Sequence, residues 1–421
     1  MEQKWKFRFK GDRTMLTLYG LFILVSIIFV FTSIGKLVYT VGDNSVYPLL
    51  LKHLGLIFVG VVACYVSYKI KYKYYSAPIV RKLLYITSII LLLAAFALSG
   101  GKTASRWIVL PGIGQLQGSE IAKYLLILYT SSLLAINRET IKTWDTFKKI
   151  GIPVLVISAL IFLENFSTSM LVFAVCAALM IIGRVNMKYM SIILVALLLL
   201  IVGVVMVTAK SEKLRSSTAI HRVQTFIEND KTIIDQPNIA RMAIATGGVS
   251  GKGIGRTEEA RFLSESHNDF IFAIILEETG FLGALFVVFL YLYLILRIMY
   301  VASRKANGFF GKFVALGIGF MFAFQALMNM MVAAHMAPVT GQTLPFISYG
   351  GTSFVFASFA LGIVLNISKG EGMDAKDEET EEQDDEQQNK ESKSQEGSKD
   401  KPTTREKLEN RIKEAYNESD N

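Results

Sequence analysis

Three acidic side chains stand where a polar stretch of the sequence becomes apolar. Asp269 lies at the boundary, and Glu277 and Glu278 follow inside the apolar run. A charge near the centre of a bilayer costs roughly 2.5–3.5 kcal/mol, so such acids normally face a cavity or a partner. At about 100° per residue, Glu277 falls within a quarter-turn of Asp269 on a helix. We expect both to line one polar, water-accessible recess.

Helix capping is the alternative role for Asp269. Ser266 and Asp269 have the spacing of a capping box, in which the polar side chains satisfy main-chain N–H groups at the start of a helix. The residue pattern alone leaves both roles open.

A second polar group precedes another apolar run and could bind an anionic substrate. Glu120 and Lys123 share a helix face at i, i+3. Arginine and lysine could supply positive charge to phosphate while Glu120 orients them. An ordinary ion pair at the membrane interface, with Lys123 reaching toward water, is the alternative. The candidate binding residues of this group are Arg106, Trp107, Gln117, Ser119, Glu120 and Lys123.

The third polar segment, 338–353, contains Pro345 and the pair Gly350 and Gly351. Proline blocks helix continuation and glycine permits close backbone approach, so this segment should be a non-helical loop that lines a cavity or is buried in protein. Its candidate contacts to sugar hydroxyls are Gln342, Ser348, Tyr349 and Thr352. Thr352 could equally cap the helix that follows.

Composition places these groups in an all-α integral membrane protein. The chain is 52% hydrophobic, and its long apolar runs predict about ten transmembrane helices. Cys64 and Cys176 lie within apolar runs and should act as small hydrophobic residues, without a disulfide. The expected spans are about 15–34, 53–69, 82–99, 119–136, 150–163, 168–183, 189–208, 268–297, 310–334 and 350–367, with 150–163 and 168–183 as a broken or tilted pair.

Basic residues concentrate in alternate short loops and in the N-terminal segment 1–14. The positive-inside rule then puts both termini in the cytoplasm and the 100–118, 209–267 and 335–350 loops outside. Residues 369–421 hold 10 basic and 18 acidic residues; since the whole chain is at +9, the remainder carries +17. This acidic tail should be disordered, either solvated or with 403–416 docking to a cytoplasmic protein.

The large outward loop, 209–267, contains two further patterns. Residues 214–228 predict an amphipathic helix at the membrane interface. The glycine cluster 247–255 lacks the ending of a nucleotide-binding phosphate loop, and a flexible loop beside the membrane mouth fits it better. No nucleic-acid partner is expected.

Together the motifs resemble those of the SEDS family (shape, elongation, division and sporulation) over about 15–368. The 341–353 run is more similar to the division branch than to the elongation branch. The motifs are Arg106-Trp107, Gln117-x-Ser119-Glu120-x-x-Lys123, the 247–255 glycines, His267-Asn-Asp269-Phe-Ile-Phe-Ala, Glu277-Glu278-x-Gly280 and Gly341-Gln-Thr-Leu-Pro-Phe-Ile-Ser-Tyr-Gly-Gly-Thr-Ser353.

Two departures from the family pattern stand out. The family often has Pro-Asp where this chain has Glu164 and Asn165, and Pro where Gly118 stands. We therefore expect no catalytic role for residues 164 and 165.

The resemblance implies a peptidoglycan glycosyltransferase that polymerises lipid II, inverting the donor linkage, with Asp269 as general base. A divalent cation, Mg²⁺ or Mn²⁺, is compatible with the diphosphate leaving group. The implied partners are a class B penicillin-binding transpeptidase, other divisome proteins and membrane lipid, at the septal inner membrane. An elongation polymerase, a lipid II transporter and a scaffold that recruits division proteins through its tails are the alternatives; the outward clustering of polar motifs and the absence of an inverted repeat disfavour transport.

Overall fold

The computed structural model describes residues 10–41, 46–98, 107–110, 114–193, 195, 236–259 and 268–370, and of these 35–41, 46, 107–110 and 114–116 by backbone only. Ten α-helices are bounded within these residues: α1 Arg13–Val41, α2 Val46–Lys69, α3 Pro78–Leu98, α4 Gly118–Ile136, α5 Trp144–Glu164, α6 Phe166–Ile182, α7 Gln236–Gly247, α8 Ile271–Tyr300, α9 Gly308–Ala333 and α10 Thr352–Ile367. A 3₁₀ turn, Tyr72–Ser76, precedes α3, and a π-helical turn, Val301–Lys305, follows α8.

Seven of the described helices are long and apolar enough to cross a bilayer: α1, α2, α3, α4, α5, α8 with its π-turn, and α9. The apolar helices α6 and α10 are shorter, with 17 and 16 residues. The remaining predicted span, 189–208, is described as helix only at 189–193 and 195. The helical membrane class is confirmed, whereas the count of ten stays a prediction.

Two sequence expectations about α5 and α6 need correction. The span expected at 150–163 is a 21-residue helix that begins at Trp144 and contains Pro153, so it is long enough to cross. Its first six residues escape the apolar pattern because Asp145, Lys148 and Lys149 are charged. Only Asn165 separates α5 from α6, so the two form a consecutive helical hairpin with a one-residue joint.

A β-hairpin, absent from the all-α prediction, leads into α4. Strand β1 (Trp107–Leu110) pairs antiparallel with β2 (Gly114–Gln117). The register sets Trp107 opposite Gln117, so two predicted substrate contacts are neighbours across the hairpin. Gln117 is also the residue from which α4 starts.

Helix α8 is broken at Gly280, and a loop pairs with the break. Gly280 has φ 68° and ψ −167°, so a helix of nine residues precedes the long membrane segment. Main-chain bonds join the loop of residues 248–259, here the glycine loop, to the break: Lys252 N–H to Glu277 C=O at 2.9 Å and Phe281 N–H to Gly248 C=O at 2.9 Å. The backbones approach so closely that a Cβ on Gly251 would lie 2.2 Å from the Glu278 carbonyl oxygen. The predicted loop is thus tied down by its main chain.

A buried carboxylate joins three helices at the opposite end of the bundle. Asp12 accepts from the guanidinium of Arg297 at 2.8 Å and from Lys305 at 3.3 Å, and its own N–H donates to Ser368 Oγ at 2.9 Å. Burial opposes ionisation of this carboxyl, but the bonds from Arg297 and Met15 and the two positive charges outweigh it and lower the pKa of Asp12. The start of α1 and the ends of α8 and α10 are thereby held together.

Replacing Asp12→Asn should lower the free energy of unfolding by about 1–3 kcal/mol at neutral pH, because two cations lose their counter-ion. Because the pKa of Asp12 is lower in the folded than in the unfolded protein, the loss of unfolding free energy should be complete above about pH 4. The loss should shrink toward zero as the pH falls below that value. Thermal unfolding in detergent across pH measures this.

The matched control is Asp145→Asn, whose pair with Lys148 at 2.8 Å is exposed. Equal losses in both variants, or a gap that persists at acid pH, would contradict the role given to Asp12.

Candidate active site

Asp269 stands at the entrance to α8, in a turn of residues 268–270. It is partly exposed, whereas Phe270 and Ile271 directly after it are 0% exposed. The N-cap of α8 is Phe270, one residue beyond Asp269, and makes no side-chain capping bond. Asp269 is therefore partly exposed and precedes the N-cap of α8, whereas the capping-box alternative would place it inside the first turn of the helix.

Two side chains hold the backbone on which Asp269 sits. Asn329 of α9 donates through Nδ2 to the Asp269 carbonyl at 2.8 Å and to the Gln342 carbonyl at 2.7 Å. Ser348 donates to the carbonyl of the preceding residue, Asn268, at 2.7 Å. Consecutive carbonyls are thus tied to α9 and to the 338–351 loop.

The 338–351 loop is non-helical as predicted, but its polar side chains bond inward. Gln342 is 3% exposed and donates through Nε2 to Thr168 Oγ1 at 2.8 Å. Ser348 is 2% exposed and, besides donating to Asn268, accepts from Leu344 N–H at 2.8 Å. The predicted contacts of Gln342 and Ser348 with sugar hydroxyls are therefore wrong for this conformation, because both side chains are buried and hydrogen-bonded to protein groups.

Two further residues of this loop region have packing or positional roles. The ring of Tyr349 lies 5.3 Å from the ring of His53, which belongs to α2. Thr352 is the first residue of α10, and Gly351 occupies the cap position without a side-chain bond, so Thr352 does not cap the helix. The loop is joined to α1 as well, since Ser26 Oγ donates to the Ile347 carbonyl at 2.8 Å.

The predicted Glu120–Lys123 pair forms, and it is buried. Lys123 Nζ lies 2.7 Å from Glu120 Oε2, and the two side chains are 1% and 9% exposed. Lys123 therefore does not extend into water at a membrane interface, and that alternative is wrong. The region would have to open before the ammonium could contact a substrate phosphate.

Helices α4 and α9 run antiparallel, which sets this pair near the Asp269 end. Arg138, after α4, lies 3.6 Å above the ring of Phe309 at the start of α9, and Tyr124 contacts Phe322 with ring centroids 6.4 Å apart. Continuing this pairing places the first turn of α4 level with the turn of α9 that precedes Asn329. Lys123, Glu120 and Asp269 are thus at one end of the bundle.

The two departures from the family pattern meet in space. Glu164 accepts from Ser119 N–H at 3.1 Å, and a Cβ on Gly118 would lie 3.2 Å from Glu164 Oε1. At the N-terminus of α4, the carboxylate accepts from a main-chain N–H that has no partner within the helix, and its negative charge interacts favourably with the helix dipole. Asn165 caps α6 by accepting from the N–H groups of Ser167 and Thr168. Both residues therefore have local structural roles.

Glu277 lines no open recess, contrary to the sequence expectation. It is 0% exposed, and its Oε1 accepts from Lys252 Nζ at 3.1 Å and from Glu258 N–H at 2.8 Å. Partial burial disfavours the charge on Lys252, but its bonds to Glu277 and Glu258 outweigh this and raise its pKa. Glu277 thus anchors the glycine loop. Helical periodicity predicted that Glu277 shares a face with Asp269, but it carries no information about the loop that covers Glu277.

Glu278 also has a hydrogen-bond partner in another helix. It accepts from Thr32 Oγ1 of α1 at 3.2 Å. Thr32 lies twenty residues after Asp12, about 30 Å along α1, which is one hydrocarbon thickness. The Glu278 contact is therefore about one hydrocarbon thickness away from Asp12 along α1.

Among the residues the structure describes, no three His, Cys, Asp or Glu side chains come together as a metal cage. A Mg²⁺ ion that binds a diphosphate commonly takes only one or two carboxylates from the protein, and the partly exposed Asp269 has that chemistry. The divalent cation therefore stays a prediction.

Comparison with known proteins decides the family. A family model for FtsW, RodA and SpoVE, described as "Cell cycle protein", matches residues 12–372. The chain belongs to the FtsW/RodA/SpoVE family. The "Probable peptidoglycan glycosyltransferase FtsW" of Trichlorobacter lovleyi is 33% identical over 334 residues, covering 76% of this chain and 84% of the relative.

Solved structures share the FtsW/RodA/SpoVE fold. A chain from a structure described as "Structural coordination of polymerization and crosslinking by a peptidoglycan synthase complex" matches with a TM-score of 0.62 at 22% identity, covering 86% of this chain and 99% of that one. The rod shape determining protein RodA of Thermus thermophilus matches with a TM-score of 0.59 at 21% identity, over 88% and 99%. The family resemblance of the sequence motifs is confirmed.

The remaining predictions for this family member stand as follows. Arg106, Ser266, 214–228 and the tail from 371 lie outside the described residues, and of Trp107 only the backbone is described. Sequence reasoning missed Asn329 as a site residue. Its signal was available, because Gln325 and Asn329 are polar residues at i, i+4 inside the otherwise apolar α9.

Replacing Glu277→Ala should loosen the glycine loop, because Lys252 and two main-chain N–H groups lose their buried acceptor. Amide hydrogen exchange should accelerate in 248–259 and stay unchanged in α4.

The control is Glu258→Gln, since Glu258 also pairs with Lys252 but is 74% exposed, at 3.4 Å. If the loop exchanges no faster in Glu277→Ala than in this control, Glu277 is not its anchor.

Proposed function

We propose that this protein is a peptidoglycan glycosyltransferase that polymerises lipid II, with Asp269 as the general base. The observation that supports this most strongly is the difference in solvent exposure among the predicted acidic residues. Of the acids predicted for the site, Asp269 is partly exposed, whereas Glu120 is 7% and Glu277 0% exposed. A base must lie within hydrogen-bond reach of the proton it accepts, so Asp269 is the acid of this set that a substrate can contact.

The reaction needs one base and a means of stabilising a leaving diphosphate. The acceptor sugar hydroxyl attacks the anomeric carbon of the donor while its proton passes to the Asp269 carboxylate. The bond between that carbon and the diphosphate oxygen breaks, and the lipid diphosphate departs with the electron pair. Attack opposite the leaving group converts an α-linked donor into a β-linked glycan.

Positive charge near the leaving group would stabilise the transition state. Arg106 and Lys123 are the residues assigned to this role, with Glu120 orienting Lys123 through the buried pair at 2.7 Å. Trp107, Gln117, Ser119 and Tyr349 are retained as candidate substrate contacts. Because Lys123 is 1% exposed, binding of the diphosphate includes opening of the start of α4.

The setting follows from the same reasoning. The protein spans the bacterial inner membrane several times, with both termini in the cytoplasm by the positive-inside rule and the Asp269 end outside. Its partner is a class B penicillin-binding transpeptidase, in keeping with the polymerization and crosslinking complex that shares its fold. Similarity to FtsW relatives favours the division septum and contacts with other divisome proteins.

Asp269→Asn and Asp269→Ala should reduce glycan-strand formation from labelled lipid II by about 10²–10⁴-fold, the usual contribution of a general base. The assay uses purified full-length protein, with and without its transpeptidase, and counts only folded protein.

Glu258→Gln, an exposed acid of the outward loop, is the matched control and should keep wild-type rates. Wild-type polymerisation by folded Asp269→Ala would overturn the assignment.

Deletion of 371–421 should leave polymerisation unchanged, since the family match ends at residue 372 and the site residues precede it. The same assay with the truncated chain checks this. Loss of polymerisation by a folded truncated protein would favour a direct role of the tail over the enzyme core alone.

A further inference from the structure

We infer that Asn329 is a positioning residue for Asp269, with Ser348 as its partner, and that together they set the distance between base and substrate. This inference rests on the proposed function. It concerns residues that touch the backbone beneath the carboxylate and not the substrate itself.

The chemistry of the Asn329 amide suits this role. One NH₂ group carries two hydrogens, and here each goes to a carbonyl of a different segment: Asp269 at 2.8 Å and Gln342 at 2.7 Å. The side chain is 1% exposed, so water does not compete for these bonds. Aspartate has the same shape but, when ionised, donates nothing.

Ser348 extends the attachment to the next carbonyl. It donates to Asn268 at 2.7 Å while accepting from Leu344 N–H at 2.8 Å. Both carbonyls that precede Phe270 are thereby bonded to side chains from separate elements. Displacement of the turn would break two partly buried bonds at once.

The 338–351 loop is itself anchored on three sides, so the attachment is rigid. Gln342 bonds to Thr168 of α6, Ile347 accepts from Ser26 of α1, and Tyr291 of α8 donates to the Pro345 carbonyl. Asp269 is therefore positioned through α9 and a loop fixed to α1, α6 and α8. This explains why an apolar helix retains a buried asparagine at this level.

The test compares Asn329→Asp with a matched buried asparagine at the other end of the bundle. Asn366 donates to the Tyr68 carbonyl at 2.6 Å and accepts from Tyr72 N–H at 3.0 Å, and it is 6% exposed. Lipid II polymerisation by the full-length protein gives kcat and KM per folded molecule, and thermal unfolding gives the stability of each variant.

Asn329→Asp should lower kcat by about 10–100-fold, the cost of misplacing a reacting group by about 1 Å, and change KM by less than about threefold. Asn366→Asp should lose stability while keeping kcat. If Asn329→Asp does not fold, Ser348→Ala serves instead, since it removes only a hydroxyl. It should also lower kcat without a large change in KM, but by a smaller factor.

The double variant Asn329→Asp/Ser348→Ala should lose less kcat than the product of the single losses, because both act through Asp269. Wild-type kcat in the single variants, or equal kcat losses in Asn329→Asp and Asn366→Asp, would overturn the inference. Full activity of Asp269→Ala would instead overturn the proposed function, so the two failures are distinguishable.

Discussion

Hydrogen bonds to two consecutive carbonyls fix the turn that carries Asp269, the proposed general base. Asn329 and Ser348 bond to Asp269 and Asn268, and they belong to elements that are themselves bonded to α1, α6 and α8. The partly exposed carboxylate thus stands on an otherwise buried frame. In the proposed mechanism, the position of the base depends on hydrogen bonds that remote segments make to its main chain.

The buried carboxylates of Glu277 and Glu278 are likewise hydrogen-bonded to other parts of the protein. Glu277 is paired with Lys252 and two main-chain N–H groups, and Glu278 with Thr32. These pairings occur where α8 breaks at Gly280 and leaves main-chain groups that the glycine loop satisfies. The break at Gly280 is tolerated because protein supplies the main-chain bonds that lipid cannot. The break therefore requires the loop, and the loop requires the buried glutamate.

Residue spacing along the chain predicted those features that depend only on neighbours in sequence. The i, i+3 spacing of Glu120 and Lys123 gave the ion pair, and the apolar runs gave the helices. Burial of that pair was not predictable, because it depends on packing against α9. The hairpin before α4 was missed although Trp107-Ile-Val-Leu followed by Pro-Gly is a strand and turn signal.

The misplacement of Glu277 has a definite cause. Helical periodicity from Asp269 assumed one continuous helix exposed on one face, whereas the glycine loop covers that face and Gly280 ends the segment. Gln342 and Ser348 were assigned to substrate because polar loop residues near an opening suggest binding. Their actual partners, Thr168 and Asn268, are 174 and 80 residues away in sequence and could not be identified from spacing.

The most direct measurement is an experimental structure of the protein with an unreactive lipid II analogue and an acceptor glycan bound. The account predicts the attacking hydroxyl about 2.6–3.2 Å from the Asp269 carboxylate, with the diphosphate on the side of Lys123. A bound acceptor whose hydroxyl contacts another base, with Asp269 turned away from it, would contradict the account.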